Sequence, residues 1–227
     1  ESLYDPQARS EGEFRTRFAD RATVKNGLAL GLTDTFKADG AQQRRFQPFW
    51  WRAWRFAEIK IKTAAQPLTI DDFETWETGY PFAERGRFVS NDAELNAVWR
   101  TGWMSALLDA HETYMDTAYW EQLQYIGDTR IQMLLSYDVA GDARLGVQAL
   151  DAFDQSRIVA GGVTQSNWPG VLNQVIEPFS LLWIGALHDY WMRQPDTAVL
   201  TRTMPGTRAV LDEFERHVLG QAADVVV

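Results

Sequence analysis

The chain has 227 residues and a formal net charge of −9, from 22 Lys and Arg against 31 Asp and Glu. This negative balance argues against a nucleic-acid partner or an anionic membrane surface, since both bind clusters of Lys and Arg. The absence of cysteine excludes a disulfide scaffold, a thiolate metal site and a cysteine nucleophile. The longest apolar stretch, residues 179–187, is far shorter than the roughly 20 residues that span a bilayer, so no membrane span is predicted.

The first part of the chain, up to Gly86, has a period of two. Residues 14–18 and 54–63 both alternate apolar with charged side chains, as Ile59 and Ile61 do with the lysines beside them. Such alternation predicts half-exposed antiparallel strands. We therefore expect residues 1–85 to be a β part of the protein, followed by a linker.

From Ser90 onward the apolar residues recur with the period of an α-helix. Asn91 and Glu94 have the spacing of a capping box, which predicts that the first helix begins there. Four further helices are predicted by the same period: residues 128–137, the segment after Asp142, the segment from Pro178, and residues 207–218. The helix from Pro178 is apolar all round and is expected to be buried on every side. Alternation of one-sided and buried helices predicts two concentric layers.

The segment between the first two predicted helices holds the densest cluster of chemically useful side chains. It contains three carboxylates, Asp116, Glu121 and Asp128, interleaved with aromatic residues. A carboxyl group beside aromatic surface loses water, which raises its pKa toward the range that a general acid needs. Ionised carboxylates also accept hydrogen bonds from sugar hydroxyls. From the residues alone, the segment could equally be an exposed acidic turn with Asp128 at a helix N-cap.

This segment resembles the catalytic loop of the α-L-rhamnosidases of glycoside hydrolase family 78. In that family an Asp, usually followed by Cys-Pro, precedes a Glu by five or six residues, and a Gly-Asp places its Asp seven residues beyond the Glu. Here the spacing is five from Asp116 to Glu121 and seven from Glu121 to Asp128, with Gly127 in place. The likeness covers roughly residues 32–192. It implies an (α/α)6 barrel, whose first half would be residues 86–227, preceded by the end of a β-sandwich.

The resemblance also implies a reaction, the inverting hydrolysis that releases terminal α-L-rhamnose from a glycan or glycoside. Glu121 matches the general acid, and Asp116 and Asp128 match the carboxylates that hold the sugar and tune that acid. Tyr125 stands where many members have an aromatic residue. Trp120 departs from the family, since many members have Arg at this position. The identity of the sugar is therefore less closely specified than the type of reaction.

Further residues could belong to the same site or have a purely structural role. Thr117-Ala118 replaces the usual Cys-Pro, a change expected to alter the stiffness of the loop. Trp168 lies in a glycine-bounded linker and could stack on a sugar ring. Glu177 is either a charge at a helix start or part of the sugar pocket. The three histidines lack the spacing of metal ligands, so neither a metal nor a cofactor is predicted.

An inverting glycosidase also needs a second carboxylate, about 6.5–9.5 Å from the acid, to activate water. In the family this base is a Glu late in the barrel, so it is expected beyond Val227, and the 227 residues are expected to be an incomplete, inactive catalytic domain. Such a fragment should expose inner-helix surface at Leu181, Trp183 and Ile184, which could pair with the rest of the chain or with a second copy.

Two alternative functions stay open. One is another inverting glycosidase on the same barrel, acting on a different terminal sugar. The other is a non-catalytic sugar-binding relative. The sequence leaves open the linkage, the aglycone, the oligomeric state and whether the protein is cytoplasmic, periplasmic or secreted.

Overall fold

The structure of the protein is a computed structural model that describes residues 2–4 and 28–224, with side chains over residues 31–217. The chain divides into two compact units, Glu1–Thr78 and Gly79–Val227. Each unit is described by itself below. The strand predicted over residues 14–18 lies outside the described residues.

The described part of the first unit contains one pair of short strands. Strand β1 (Ser2–Tyr4) runs antiparallel to β2 (Leu28–Leu30). Residues 31–78 contain neither a helix nor a strand. The strand predicted over residues 54–63 is therefore wrong, and Ile59 and Ile61 are 54% and 50% exposed. Alternation specifies which side chains share a face, but it does not by itself supply the paired neighbour that a strand needs. The predicted β part is not shown by the described residues.

The described part of the second unit is helical. Its elements are α1 (Ala93–Leu108), α2 (Ile126–Leu135), a π-helical turn (Ser136–Ala140), α3 (Arg144–Ala160), α4 (Glu177–Arg193) and α5 (Thr197–Asp224). The five helices lie in the five segments where the sequence predicts them. This helical content is consistent with part of a helical barrel. Among the described residues, no helix is both long and apolar enough to span a membrane.

Two helix starts differ from the prediction. The N-cap of α1 is Asp92, whose carboxylate accepts the Glu94 N–H at 2.8 Å, so the capping box predicted from Asn91 is wrong. Helix α5 begins at Thr197, well before the predicted start, and contains Pro205. The prediction began after Pro205 because proline removes a helical hydrogen bond and clashes with the preceding turn. Burial of one face of α5 in the core offsets that cost.

Helix α4 packs against α2, α3 and α5 and carries the centre of the core. Trp183 is fully buried and donates its indole N–H to the Leu150 carbonyl of α3 at 3.1 Å. The helix is not buried on every side, because Leu181 and Trp191 are 42% and 40% exposed. The prediction of exposed inner-helix surface is right for Leu181 and wrong for Trp183, while Ile184 is partly buried. The apolar side chains of α4 are buried only where a neighbouring helix covers them.

The start of α2 is fixed against α4 by close contacts. The Arg130 guanidinium donates to the Asp189 carboxylate at 2.7 Å. It lies over Gly185, where a Cβ atom would come within 2.7 Å of it. A Cβ atom at Gly127 would likewise meet the Phe179 ring at 3.2 Å. These contacts hold the first turn of α2, which carries Asp128.

Candidate functional site

The chain between α1 and α2 folds into a closed turn over residues 116–123, which we call the carboxylate turn. Two hydrogen bonds join the two ends of this turn. The Asp116 N–H donates to the Leu123 carbonyl at 2.9 Å. The Leu123 N–H donates in return to the Asp116 carboxylate at 3.0 Å. One carboxylate oxygen of Asp116 is thereby used to close the turn. Ionised carboxylates accept several hydrogen bonds, so the group keeps acceptor capacity for a ligand.

The upper part of the carboxylate turn is held by side chains of its own. The Thr117 hydroxyl accepts the N–H groups of Trp120 at 3.3 Å and of Glu121 at 3.2 Å. The Gln122 amide donates to the Ala118 carbonyl at 2.9 Å. Gln122 has a φ of 56°, a left-handed backbone that costs a non-glycine residue about 1 kcal/mol. The surrounding hydrogen bonds hold that strained residue directly after Glu121.

Tyr125 is the N-cap of α2, and its phenol is subject to the charges of all three predicted carboxylates. Burial is the largest cause that raises the pKa of Tyr125 above its ordinary value. The charge of Glu121 and its hydrogen bond with the phenol follow, and then the charges of Asp116 and Asp128. Glu121 itself is exposed, while Asp116 and Asp128 are half-buried.

A fourth carboxylate, which the sequence analysis missed, belongs to the same cluster. Asp109 is the C-cap of α1, and its side chain accepts the backbone N–H of Ala118. Burial raises the pKa of Asp109 to about 6, and the charges of Asp116 and Asp128 add to that rise. The signal that could have identified Asp109 is its register, because it follows the buried Ala106 by three residues on the same helix face.

The wall behind Tyr125 is a buried segment of neutral polar residues, 164–167, of which none is more than 1% exposed. The Gln165 N–H donates to the Ser156 hydroxyl at 3.0 Å. Ser166 donates its N–H and its hydroxyl to Gln174. Tyr125 forms an isolated antiparallel bridge with Asn167. The segment therefore holds the backbone of Tyr125 in place.

The remaining predicted site residues differ in how close they lie to the cluster. Trp120 is 71% exposed beside Glu121, with the Tyr119 ring edge-on at 4.9 Å. Trp168 is partly buried and shares two hydrogen bonds with Gln124, the residue before Tyr125. Glu177 is exposed in the first turn of α4. Within the described residues, no hydrogen bond or ion pair joins Glu177 to the carboxylate turn.

An open cavity is lined by residues other than these carboxylates. It has a volume of about 570 Å³ and lies between the segment at Arg85 and the start of α3, where Asp142 pairs with Arg144 at 2.6 Å. The candidate site is the set of carboxylates and not this cavity, because Asp142 is the one acidic residue that lines the cavity. Over the part of the chain that the structure describes, no three His, Asp or Glu side chains are grouped so as to hold a metal ion.

The chain is similar to solved structures of other proteins. No protein-family model and no curated protein matches the chain. Among solved structures, a GH78 family rhamnosidase from Bacillus sp. GL1 matches 61% of the chain at 27% sequence identity, with a TM-score of 0.59. The chain resembles part of a family 78 rhamnosidase. The resemblance predicted from the sequence is thus confirmed.

The chain spans only a small part of the length of the enzymes that it resembles. The chain covers 14% of the length of the Bacillus rhamnosidase. A rhamnosidase from Klebsiella oxytoca, whose structure has rhamnose bound, is also similar, with 19% identity and a TM-score of 0.48 over 54% of this chain and 25% of that one. The roles of the individual site residues stay predictions, and the activity of a whole rhamnosidase comes to this chain only as a proposal.

Proposed function

We propose that the chain is part of an inverting glycoside hydrolase that releases terminal α-L-rhamnose from a glycan or glycoside. The observation that carries the proposal is the similarity to a family 78 rhamnosidase, together with the three carboxylates Asp116, Glu121 and Asp128, whose charges all act on the Tyr125 phenol. We also propose that the helices form the first half of an (α/α)6 barrel, over residues 86–227. Residues 1–85 would then be the end of a β-sandwich and a linker.

In this proposal Glu121 is the general acid that gives its proton to the oxygen of the leaving group. Its exposure in the structure lets a substrate reach it, and the Tyr125 hydroxyl holds one side of its carboxyl group. Asp116 and Asp128 accept hydrogen bonds from sugar hydroxyls and so hold the ring beside Glu121.

Aromatic surface around the cluster would bind the apolar face of the sugar. Trp120 has an exposed ring beside Glu121, which suits stacking. The backbone of Trp168 is hydrogen-bonded to Gln124, the residue before Tyr125. Glu177 is the most peripheral of the proposed sugar-binding residues. The general base would lie outside the 227 residues, in keeping with the small share of the Bacillus rhamnosidase that the chain spans.

Binding of L-rhamnose to the 227-residue chain tests the proposal without requiring the base. We expect saturable binding in calorimetry, with D-galactose as the control sugar. Asp116→Asn should weaken it about tenfold, because an amide keeps the acceptor for Leu123 but loses the charge that binds sugar hydroxyls. Asp212→Asn, an exposed carboxylate on α5, is the matched control and should bind like the wild type.

Two results would count against the assignment. One is no rhamnose binding by the wild type, and the other is binding that neither Asp116→Asn nor Asp128→Asn weakens. Turnover of an aryl α-L-rhamnoside that survives Glu121→Gln would remove Glu121 from the role of the acid.

One observation favours a non-catalytic sugar-binding protein as the second candidate. Trp120 and Glu121 are both exposed, an arrangement that suits a binding platform as well as an acid awaiting its substrate. The presence of Trp120 where many family members have Arg also leaves room for a different terminal sugar. A panel of deoxy- and uronic-acid monosaccharides in the same binding assay separates these candidates.

A further inference from the structure

The cavity between the segment at Arg85 and the start of α3 is lined by more positive than negative side chains. Arg85 and Arg144 line it together with one carboxylate, Asp142, and the remaining lining residues carry no charge. Two positive groups and one negative group give a local charge of +1, in a chain whose net charge is −9. The volume of about 570 Å³ falls within the range of small-molecule sites. No residue of the carboxylate turn lines this cavity.

Hydrogen bonds hold the two walls of the cavity together. The backbone N–H groups of Arg85 and Gly86 both donate to the Val139 carbonyl of the π-helical turn, at 2.9 and 2.7 Å. A Cβ atom at Gly86 would come within 2.9 Å of the Asp138 carbonyl oxygen, so this wall lies directly on the turn. A cavity whose walls are bonded to each other is formed before a ligand arrives, which lowers the entropic cost of binding.

The Arg85 guanidinium supplies the cavity with an unpaired positive charge. Among the residues that the structure describes, none forms a hydrogen bond or an ion pair with this side chain. Its Nη1 atom lies 3.8 Å from the position that a Cβ atom would take at Gly141, which also lines the cavity. The charged end of the side chain therefore lies at the cavity wall, with all its N–H donors available to a ligand.

Arg144 offers further donors to the cavity although it forms an ion pair. Its Nε and Nη2 atoms donate to the two carboxylate oxygens of Asp142, at 3.0 and 2.6 Å. This pairing offsets the charge of Asp142 and leaves the other guanidinium N–H groups of Arg144 for a ligand. The guanidinium also lies over the Tyr80 ring, 5.8 Å from its centroid, a contact that favours one orientation of the side chain.

We propose that this cavity is a binding site for a compact oxyanion, held by the guanidinium groups of Arg85 and Arg144. A planar guanidinium matches the paired oxygens of a carboxylate or a phosphate, and hydrogen bonds between charged groups are about twice as strong as neutral ones. Two sources share this chemistry, the carboxylate of an acidic sugar and a free phosphate group. The site goes beyond the proposed function, because none of the carboxylates assigned to rhamnose lines it.

Nuclear magnetic resonance of the 15N-labelled chain, titrated with inorganic phosphate and separately with D-glucuronate, tests the proposal. We expect saturable shifts of the Gly141 and Asp142 amide signals with at least one anion, which identifies the source, and none with uncharged D-glucose. Arg85→Gln should weaken the binding about tenfold, because a charged hydrogen-bond donor is lost. Arg87→Gln removes the same charge from an exposed side chain that does not line the cavity, and its affinity should stay within about twofold of the wild type.

A second variant tests the part of Arg144. Asp142→Asn removes the competing charge and keeps an oxygen for the Arg144 backbone N–H, now bonded at 3.0 Å, so anion binding should tighten about threefold. The proposal is overturned if neither anion shifts these amides, if Arg87→Gln weakens binding as much as Arg85→Gln, or if Asp142→Asn leaves the affinity unchanged or lower. Because no rhamnose is used, a failure of the proposed function would not alter these results.

Discussion

Replacement of Asp109 by Asn should make the protein more stable at pH 7.5 and leave its stability unchanged near pH 4. The pKa of Asp109 is raised from 3.8 to about 6 in the folded protein, first by burial and then by two neighbouring carboxylates. A raised pKa means that folding favours the protonated form. The stability linked to that proton is complete below pH 3.8 and is lost as the pH rises through about 6.

The size of the effect follows from the shift and from the exposure of the group. Each pKa unit corresponds to about 1.4 kcal/mol, so the full shift would be worth about 3 kcal/mol. Asp109 is only half-buried, and screening by solvent reduces this figure to about 1 kcal/mol. Asn carries no charge and keeps an oxygen for the Ala118 N–H. Above pH 6 the variant should therefore gain about 1 kcal/mol in the free energy of unfolding.

Urea unfolding followed by circular dichroism, at pH 7.5 and pH 4, measures this difference as a change in the midpoint concentration. Asp212→Asn serves as a control for removing a negative charge from the surface, and it should show little change at either pH. Equal stability of Asp109→Asn and wild type at pH 7.5 would refute the reasoning, and so would a gain of the same size at both pH values.

Three further substitutions test the packing that supports the site, each by thermal or urea unfolding. Gly206→Ala should destabilise the protein by about 1–3 kcal/mol, since its Cβ would collide with the Asp154–Arg157 ion pair where α5 meets α3. Gly102→Ala should stabilise it by about 0.5–1 kcal/mol, because that glycine lies inside α1 with open space around it; a loss there would contradict the helix placement. Trp183→Phe should cost about 2 kcal/mol through a lost hydrogen bond and a cavity, and unchanged stability would argue against the burial of that ring.

The helical part of the fold could be predicted from the sequence because its signal is local. A period of 3.6 residues is complete within each helix, and Pro178 at the first turn of α4 marks its start. The strand predicted at Ile59 and Ile61 is wrong, since alternation of side chains does not by itself supply the paired neighbour that a strand needs. The start of α5 was predicted too late, after Pro205. The packing of the buried helix face outweighs the local cost of proline, so the helix continues through it.

The residues of the candidate site could likewise be predicted only in part. The sequence indicates Asp116, Glu121 and Asp128 as a group because all three lie in or next to one connection between two helices, and their roles stay predictions. Asp109 was missed because it lies in a helix that looks structural, and only the folding back of the loop brings Ala118 to its carboxylate. A spacing pattern finds residues that are close in sequence, whereas a contact across a closed loop depends on the tertiary structure.

Two kinds of groups surround the start of α2, and they should respond to different solution conditions. The charges of Asp116 and Asp128 raise the pKa of Asp109, and all three carboxylates are partly exposed, so dissolved ions screen this repulsion over about 8–10 Å. The segment 164–167 is neutral and buried, so added electrolyte has no charge there to screen. A rise in ionic strength should therefore weaken the repulsion among the carboxylates alone, and the bridge between Tyr125 and Asn167 should not change.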